Sequence, residues 1–276
     1  MEKEAVLKNN MAYNEAVTEK GYRLSDIQRF LESEFMGKDI HIFETTTSTN
    51  DDAKEMGFDG AKEGTVIVAL NQTKGRGSKG RSWETKKGEG LYFSFITRPK
   101  IDFTMIPAIT LITGLSVCKA IRKVSGAEVF IKWPNDIIIN GKKLCGILSE
   151  SYFTEEPFVV TGVGINCDTE IFEEELLDIA TSIKLETGRN VDKALLLAEV
   201  LNNFEKNYTA FIENGFEAVY DEYKALSAVI GKKVKIITAD GSFEAEACDI
   251  KKSGELLVKV NGEEKCVYAG EVSLRF

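Results

Sequence analysis

Histidine is almost missing from this chain: 276 residues contain one, His41. Catalysis through a Ser-His or Cys-His pair would depend on that residue, which sits in the strand-like stretch "DIHIFE", so such chemistry is not expected. The five cysteines (Cys118, Cys145, Cys167, Cys248, Cys266) are odd in number and widely spaced. No C-x-x-C pair suggests zinc or a redox dithiol, and they read as reduced core thiols. Net positive charge is lacking too: the formal charge is −9 and the pI about 5.0. That argues against binding nucleic acid with the whole surface, so any anion site must be local. No cationic start leads into an apolar stretch with a small-residue cleavage site, and no apolar run approaches the ~18 residues of a membrane span. A soluble, cytoplasmic protein with no membrane partner is the expectation. There is no internal repeat and no low-complexity tract.

What is present is core material. Hydrophobic residues make up 43% of the chain, whose length suits one large domain plus a small one. After a polar leader, "SDIQRFLESEF" places Ile27, Phe30, Leu31 and Phe35 on one face of a short helix that Ser25 could cap. The strand "IHIFE" precedes "TTTSTNDDAKEM", where hydroxyl and amide residues announce a helix start. "TVIVAL" and "LYFSFIT" read as strands on either side of a glycine loop, and Phe103 to Val124 as a long helix stopped by Gly126. "EVFIKW" is a strand ended by Pro134; a hairpin turning at Asn140-Gly141 and the strand "PFVVTGVGIN" follow. Residues 170 to 226 read as helical, with Leu197, Val200, Leu201, Phe204, Tyr208 and Phe211 facing the sheet. Beyond Gly231, five short strands with turns at Asp240-Gly241, Ser253-Gly254 and Asn261-Gly262 suggest a small β-barrel.

The local anion site is "NQTKGRGSKGRSW", residues 71 to 83, where Lys74, Arg76, Lys79 and Arg81 alternate with Gly75, Gly77 and Gly80. G-x-G-x-x-G would mean a dinucleotide fold only if a helix opened from the last glycine, but "RSWETKKGEGLYF" leads into another strand. The P-loop pattern is absent, and no H-R-D or D-F-G supports a kinase loop. Two readings stay open. Either backbone N–H groups and guanidinium groups close around a phosphate while Trp83 offers a flat face to a base, or this is a solvated basic surface loop.

The loop has companions. "TTSTN" (46 to 50), the loop itself, "LYFS" (91 to 94), "KWPNDIIINGKKLCGILSE" (132 to 150), "GVGIN" (162 to 166) and "GEVSLR" (270 to 275) occur in this order, and over residues 40 to 276 the chain resembles biotin protein ligases. The resemblance implies an α+β fold: a mixed β-sheet catalytic domain packed with helices, like class II aminoacyl-tRNA synthetases and biotin synthetases, at 40 to 228. A small SH3-like β-barrel at 229 to 276 would follow it, and a leader at 1 to 39 would precede it. It implies that ATP and biotin, with Mg²⁺, give biotinyl-5′-AMP, from which biotin passes to a lysine of a biotin carboxyl carrier protein. Such chemistry needs positioning, cations at the α-phosphate and exclusion of water rather than a side-chain nucleophile.

By the same resemblance, Ser48, Thr49 and Asn50 contact biotin, Gln72 completes recognition of its ureido ring, and Gly146 lines its tunnel. A helix cap is the plain alternative for the hydroxyl group at position 48. Arg76, with Gly75, Gly77 and Ser78, closes on the carboxylate and phosphate; Arg81, Trp83 and Asn166 face the nucleotide, and Arg275 reaches it from the C-terminal domain. Lys143 matches the lysine at the carboxylate and α-phosphate and is the leading catalytic residue, followed by Arg76 and Asp136. Asp136 either orients that lysine or holds Mg²⁺, with turn capping as its ordinary alternative. Lys132 is either a second phosphate contact or a solvated strand-end lysine.

Two departures matter. Relatives often carry a second arginine where this loop has Ser78, with Lys79 as a neighbour that could compensate. Many bacterial relatives also carry about 60 residues of winged helix-turn-helix, whereas here eighteen residues precede "EKGYRLSD", so no complete DNA-binding domain and no operator binding are expected. A homodimer paired through a sheet edge is a feature of relatives. The competing functions are a lipoate-type ligase of the same fold and a binding module that retains biotinyl-AMP without transferring it.

Overall fold

The computed structural model describes residues 23–238, 241–268 and 271–274; the expectations for residues 1–22 and for Arg275 lie outside them. Runs of β-branched and aromatic residues with no polar alternation should form strands covered on both faces. β2 (Val66–Ala69) and β3 (Gly90–Thr97) are buried at every position. They lie inside a seven-stranded sheet with β1 (Ile40–Phe43), β4 (Phe130–Lys132), β5 (Asp136–Ile139), β6 (Lys142–Tyr152) and β7 (Phe158–Asn166), in the order β1-β2-β3-β7-β6-β5-β4. Only β1 and β2 run parallel; the other neighbours are antiparallel. The β5–β6 hairpin turns at Asn140 and Gly141, with φ of 50° and 77°, as an Asn-Gly pair permits.

Alternate residues of β2 enter different cores, so the two faces are distinct. Val66 and Val68 join the main core with Phe93, Phe95 and Phe204, under α3 (Pro107–Ser125) and α5 (Lys193–Asn214). Ile67 joins Ala53, Ile96, Phe158 and Val160, under α2 (Thr49–Phe58). The functional face is the one carrying α2. Helix α3 starts on Pro107 and ends at Gly126 in the left-handed conformation (φ 73°). Contrary to the reading of apolar runs, the helical stretch Phe103–Ser125 is long and apolar enough to cross a membrane, with 67% of its most apolar window buried. Thr113 and Ser116 break the run in sequence but return their hydroxyls to the carbonyls of Ile109 and Ile112, at 2.8 Å each. Its burial against the sheet makes it a core helix.

Two helical expectations are corrected. Within 25–35 only α1 (Leu24–Gln28) is regular helix, with Arg23 and not Ser25 at the N-cap position and its N–H donated to Asp26 at 2.9 Å; Ile27 is nevertheless buried and Phe30, Leu31 and Phe35 pack on the core. Residues 170–226 are broken into a short turn at Glu174–Leu176, α4 (Ile183–Thr187), α5 and α6 (Glu217–Ala225). Glycines at 188 and 215 (φ 72° and 74°) end α4 and α5, and 177–182 follows the sheet instead. Of the cysteines, 118, 145 and 167 are buried thiols, but Cys248 and Cys266 are only partly covered.

The C-terminal part forms a separate antiparallel sheet of β8 (Lys233–Thr238), β9 (Gly241–Ile250), β10 (Leu256–Val260), β11 (Glu263–Val267) and β12 (Glu271–Ser273), in the order β11-β10-β9-β8-β12. The chain is thus α+β, a mixed sheet with helices plus this antiparallel sheet. The carbonyl of Gly254, in the β9–β10 turn, accepts the indole N–H of Trp133 at 2.9 Å. The small sheet thereby holds the β4–β5 turn of the large one.

The segment entering β1 is fastened by one carboxylate. Glu205 on α5 accepts the backbone N–H groups of Glu34, Phe35 and Met36 at 2.5, 2.8 and 2.8 Å. Glu205→Ala leaves those donors without an acceptor and is expected to destabilise the protein by about 2 kcal/mol, read as a lowered urea midpoint at unchanged slope.

Candidate active site

Strand register brings Tyr92 of β3, Gly164 of β7, Gly146 of β6, Asp136 of β5 and Lys132 of β4 into one row across the sheet. Side chains at paired positions share a face, and in this row the two central positions have none. A neighbouring row repeats the pattern, with Gly162 between Ser94 and Leu148. The sheet therefore has a trough, and two things fill it. A Cβ on Gly164 would lie 2.6 Å from the Trp83 ring and one on Gly146 2.8 Å from it, while a Cβ on Gly162 would lie 1.9 Å from Asn50 Oδ1. The glycines admit the indole and the amide, and Gly146 also lines the first cleft described below.

Lys143 owes its direction to a bulge. The β5–β6 register shifts between Ile137 and Ile138, pairing them with Cys145 and Lys143 and skipping Leu144. A bulge reverses the side-chain alternation, so Leu144 and Cys145 stay in the core while Lys143 lies over Gly146, its Nζ 3.0 Å from where a Cβ would be. Its backbone is held from the other side: Lys143 N donates to Ile179 O (2.7 Å) and its carbonyl accepts from Thr181 N (2.9 Å). Asn166 donates its amide to Thr181 O (3.0 Å) and Lys142 Nζ reaches Leu177 O (2.8 Å). Burial pushes the neighbouring Cys145 thiol well above its ordinary value, which removes it as a nucleophile.

Asp136 lies between two ammonium groups, with Lys143 Nζ at 2.6 Å and Lys132 Nζ at 3.3 Å. It orients Lys143 rather than capping a turn. Both neighbouring ammonium groups engage the Asp136 carboxylate, and no group of three metal-ligating side chains occurs among the described residues. Lys132 is the outer partner of Asp136 and lines neither cleft described below.

The polar floor is a connected set. Gln72 Oε1 accepts the backbone N–H of Thr49 at 2.8 Å and its hydroxyl at 3.2 Å. Ser94 Oγ lies 2.7 Å from Thr49 Oγ1 and 2.6 Å from Asn50 Oδ1. Asn50 Nδ2 donates to Leu148 O (3.3 Å) and Glu150 Oε2 (2.9 Å). Ser48 is the N-cap of α2 but makes no side-chain capping bond, and its hydroxyl-bearing residue lines the cleft instead.

The glycine loop closes on itself above this floor. Trp83 N donates to Gly75 O (2.8 Å) and Gly77 N to Arg81 O (2.7 Å); a Cβ on Gly75 would meet Trp83 O at 2.4 Å. Gly75 is thus needed for the close crossing rather than for ligand contact. Arg76 turns to Glu150 (2.5 Å) and Asp51 (2.7 Å). Burial works against its charge, but the two carboxylates outweigh that and raise its affinity for the proton. Arg81 folds back on Ser78, donating to its carbonyl (3.3 Å) and hydroxyl (3.2 Å).

Two clefts result. The first encloses about 440 Å³, partly open to solvent, and is lined by Ser48, Thr49, Asn50, Gln72, Arg76 and Asn135 among others. The second, of about 840 Å³, is lined by Arg81, Glu84, Lys86, Tyr92, Asn166, Phe172 and Ile179 among others. Gly77, Ser78, Trp83 and Lys143 line both. Arg76 lines the first cleft and Arg81 the second. Exposed Lys79 lines neither, and it is Arg81 that stands beside Ser78. His41, in edge strand β1, lines neither.

Sequence reading missed Ser94, Asn135, Asp51 and Glu150. The signal for two of them was present: Ser94 is the one small polar residue in the apolar core of "LYFSFI", and Glu150 follows Gly146 and Leu148 at every second position. Asp51, the other ion partner of Arg76, had none.

Residues 42–168 match the biotin/lipoate A/B protein ligase family and residues 229–275 the biotin protein ligase C-terminal domain. The chain is 36% identical over 273 residues to the bifunctional ligase/repressor BirA of Bacillus subtilis, covering 94% of this chain and 84% of that one. It is 31% identical over 241 residues to the biotin acetyl-CoA-carboxylase ligase of Mycobacterium tuberculosis, covering 85% and 88%. A solved structure of biotin protein ligase from Aquifex aeolicus in complex with biotin and ATP superposes with TM-score 0.76 at 30% identity, over 86% of this chain and 98% of that chain. Mixed sheet, double cleft and separate C-terminal sheet together define a protein ligase of the biotin/lipoate class. Within that class, the chain belongs to the biotin protein ligase family.

The trough yields a direct test. Gly164→Ala should displace the Trp83 ring; with only two tryptophans in the chain and Trp133 buried, the displacement is expected as a red shift of emission. An unchanged spectrum would mean that Trp83 does not rest on that glycine.

Proposed function

We propose that this protein joins biotin to a lysine of a biotin carboxyl carrier domain in two steps. The observation that carries the reading is that the two clefts share a wall made of Gly77, Ser78, Trp83 and Lys143. Biotin lies in the first cleft, its ureido ring against Ser48, Thr49, Asn50 and Gln72, and ATP in the second, with Arg81 and Asn166 beside it. Trp83 lies between them. At the shared wall a carboxylate oxygen of biotin attacks the α-phosphorus and pyrophosphate leaves. The amine of the carrier lysine then attacks the acyl carbon, and AMP leaves.

Lys143 stabilises negative charge at the carboxylate and α-phosphate as the bond forms, and Asp136 holds its ammonium group in place. Lys132 shares that carboxylate and balances it. Magnesium enters this proposal as the counter-ion of the nucleotide, not as a ligand of Asp136. The polar floor favours biotin over lipoate, because its hydroxyl and amide groups can bind a ureido ring, whereas a dithiolane offers them no hydrogen-bonding group. The carrier is proposed to belong to a biotin-dependent carboxylase, in keeping with the name of the Mycobacterium tuberculosis relative. A cytoplasmic location and a homodimer are proposed from the family resemblance alone.

Incubation of an apo carrier domain with the protein, biotin, ATP and Mg²⁺ should add one biotinyl group by mass spectrometry, and adenylate formation without carrier labelling would favour a retaining module. Lys143→Ala is expected to slow adenylation by about a hundredfold; normal turnover would remove it from the chemistry. Ser78→Arg should slow release of biotinyl-AMP, and equal off-rates would show that the shared wall does not retain it.

A further inference from the structure

One side chain holds both the floor of the first cleft and the loop above it. Glu150 follows Gly146 on the same face of β6; its Oε1 lies 2.5 Å from Arg76 Nη2 and its Oε2 accepts the Asn50 amide at 2.9 Å. Asp51, in the first turn of α2, takes the other Arg76 nitrogen at 2.7 Å. One guanidinium thus faces two carboxylates. Arg76 is the loop's fastening to the sheet and to α2. At its base the loop is tied by Thr73 N and Lys74 N to the carbonyls of Thr46 and Thr47, at 2.9 Å each. Beyond that point, Arg76 and the Trp83–Gly75 crossing hold it down.

We propose that Glu150, assisted by Asp51, is the latch of the glycine loop and a positioning residue for the ligase reaction. Through Arg76 it holds the loop over the biotin cleft, and through Asn50 it sets the amide on the cleft floor. The side chains of Arg76 and Asp51 are 40% and 46% exposed, so water and salt screen the pair and opening costs little. That suits a loop that must admit biotin, shield the anhydride and then open to a carrier lysine. The kinetic part rests on the ligase reading; the loop part does not.

Hydrogen exchange on the full chain separates the two. The amides of Gly77 and Trp83 report the loop, and those of β3 report the fold. Glu150→Gln keeps an acceptor for Asn50 but loses the charge facing Arg76. It is expected to speed exchange at Gly77 and Trp83 roughly three- to tenfold with β3 unchanged, to speed biotinyl-AMP release by a similar factor, and to leave the KM for biotin unchanged. Glu150→Ala should do the same and also raise that KM. Loop exchange equal to wild type in Glu150→Gln would overturn the latch, even if Glu150→Ala fails to fold. A wild type that makes no biotinyl-AMP would instead overturn the ligase reading, and the exchange result would still decide the latch.

Discussion

The active face depends on side chains that are not there. Three positions of a buried sheet, Gly146, Gly162 and Gly164, lack a Cβ where any other residue would contribute one, and the gap is filled by the Trp83 indole and the Asn50 amide. Removing volume from a sheet ordinarily weakens it, because glycine packs nothing and costs entropy. Here the loss is offset by an aromatic ring seated on backbone. The ring sets the height of the loop, and with it the wall between the clefts.

Charge is organised around that wall by pairing. Lys132 and Lys143 share Asp136, while Asp51 and Glu150 share Arg76. The first trio carries a net positive charge and the second a net negative one, so an anion is favoured on the Lys143 side and not on the Arg76 side. In this structure the Arg76 guanidinium is engaged by carboxylates. Both trios contribute through geometry more than through the energy of any one pair.

Much of the fold was legible because β2, β3 and α3 carry unbroken apolar patterns and because Asn140-Gly141 and Gly126 mark their turns. The region 170–182 misled, since Ile171, Leu177 and Ile179 are hydrophobic yet exposed. Of the site, the glycines and Lys143 were legible as residues, but not the geometry that places them. That Lys143 faces the trough depends on a bulge at Leu144, and a one-residue shift in register is invisible in composition. The Arg76 partners lie 25 and 74 residues away in sequence, a distance over which no local pattern operates.

The stretch from Leu177 to Thr181 belongs to no named strand, yet it is sewn to Lys142 and Lys143 along one edge and to Asn166 at its end. It behaves as an extra rung of the sheet that also forms part of the second cleft's lining. The lining of the second cleft and the backbone of Lys143 are therefore one mechanical piece. On the proposed assignment of nucleotide and catalytic lysine, a change in the one is transmitted to the other, which couples nucleotide affinity to rate at this edge.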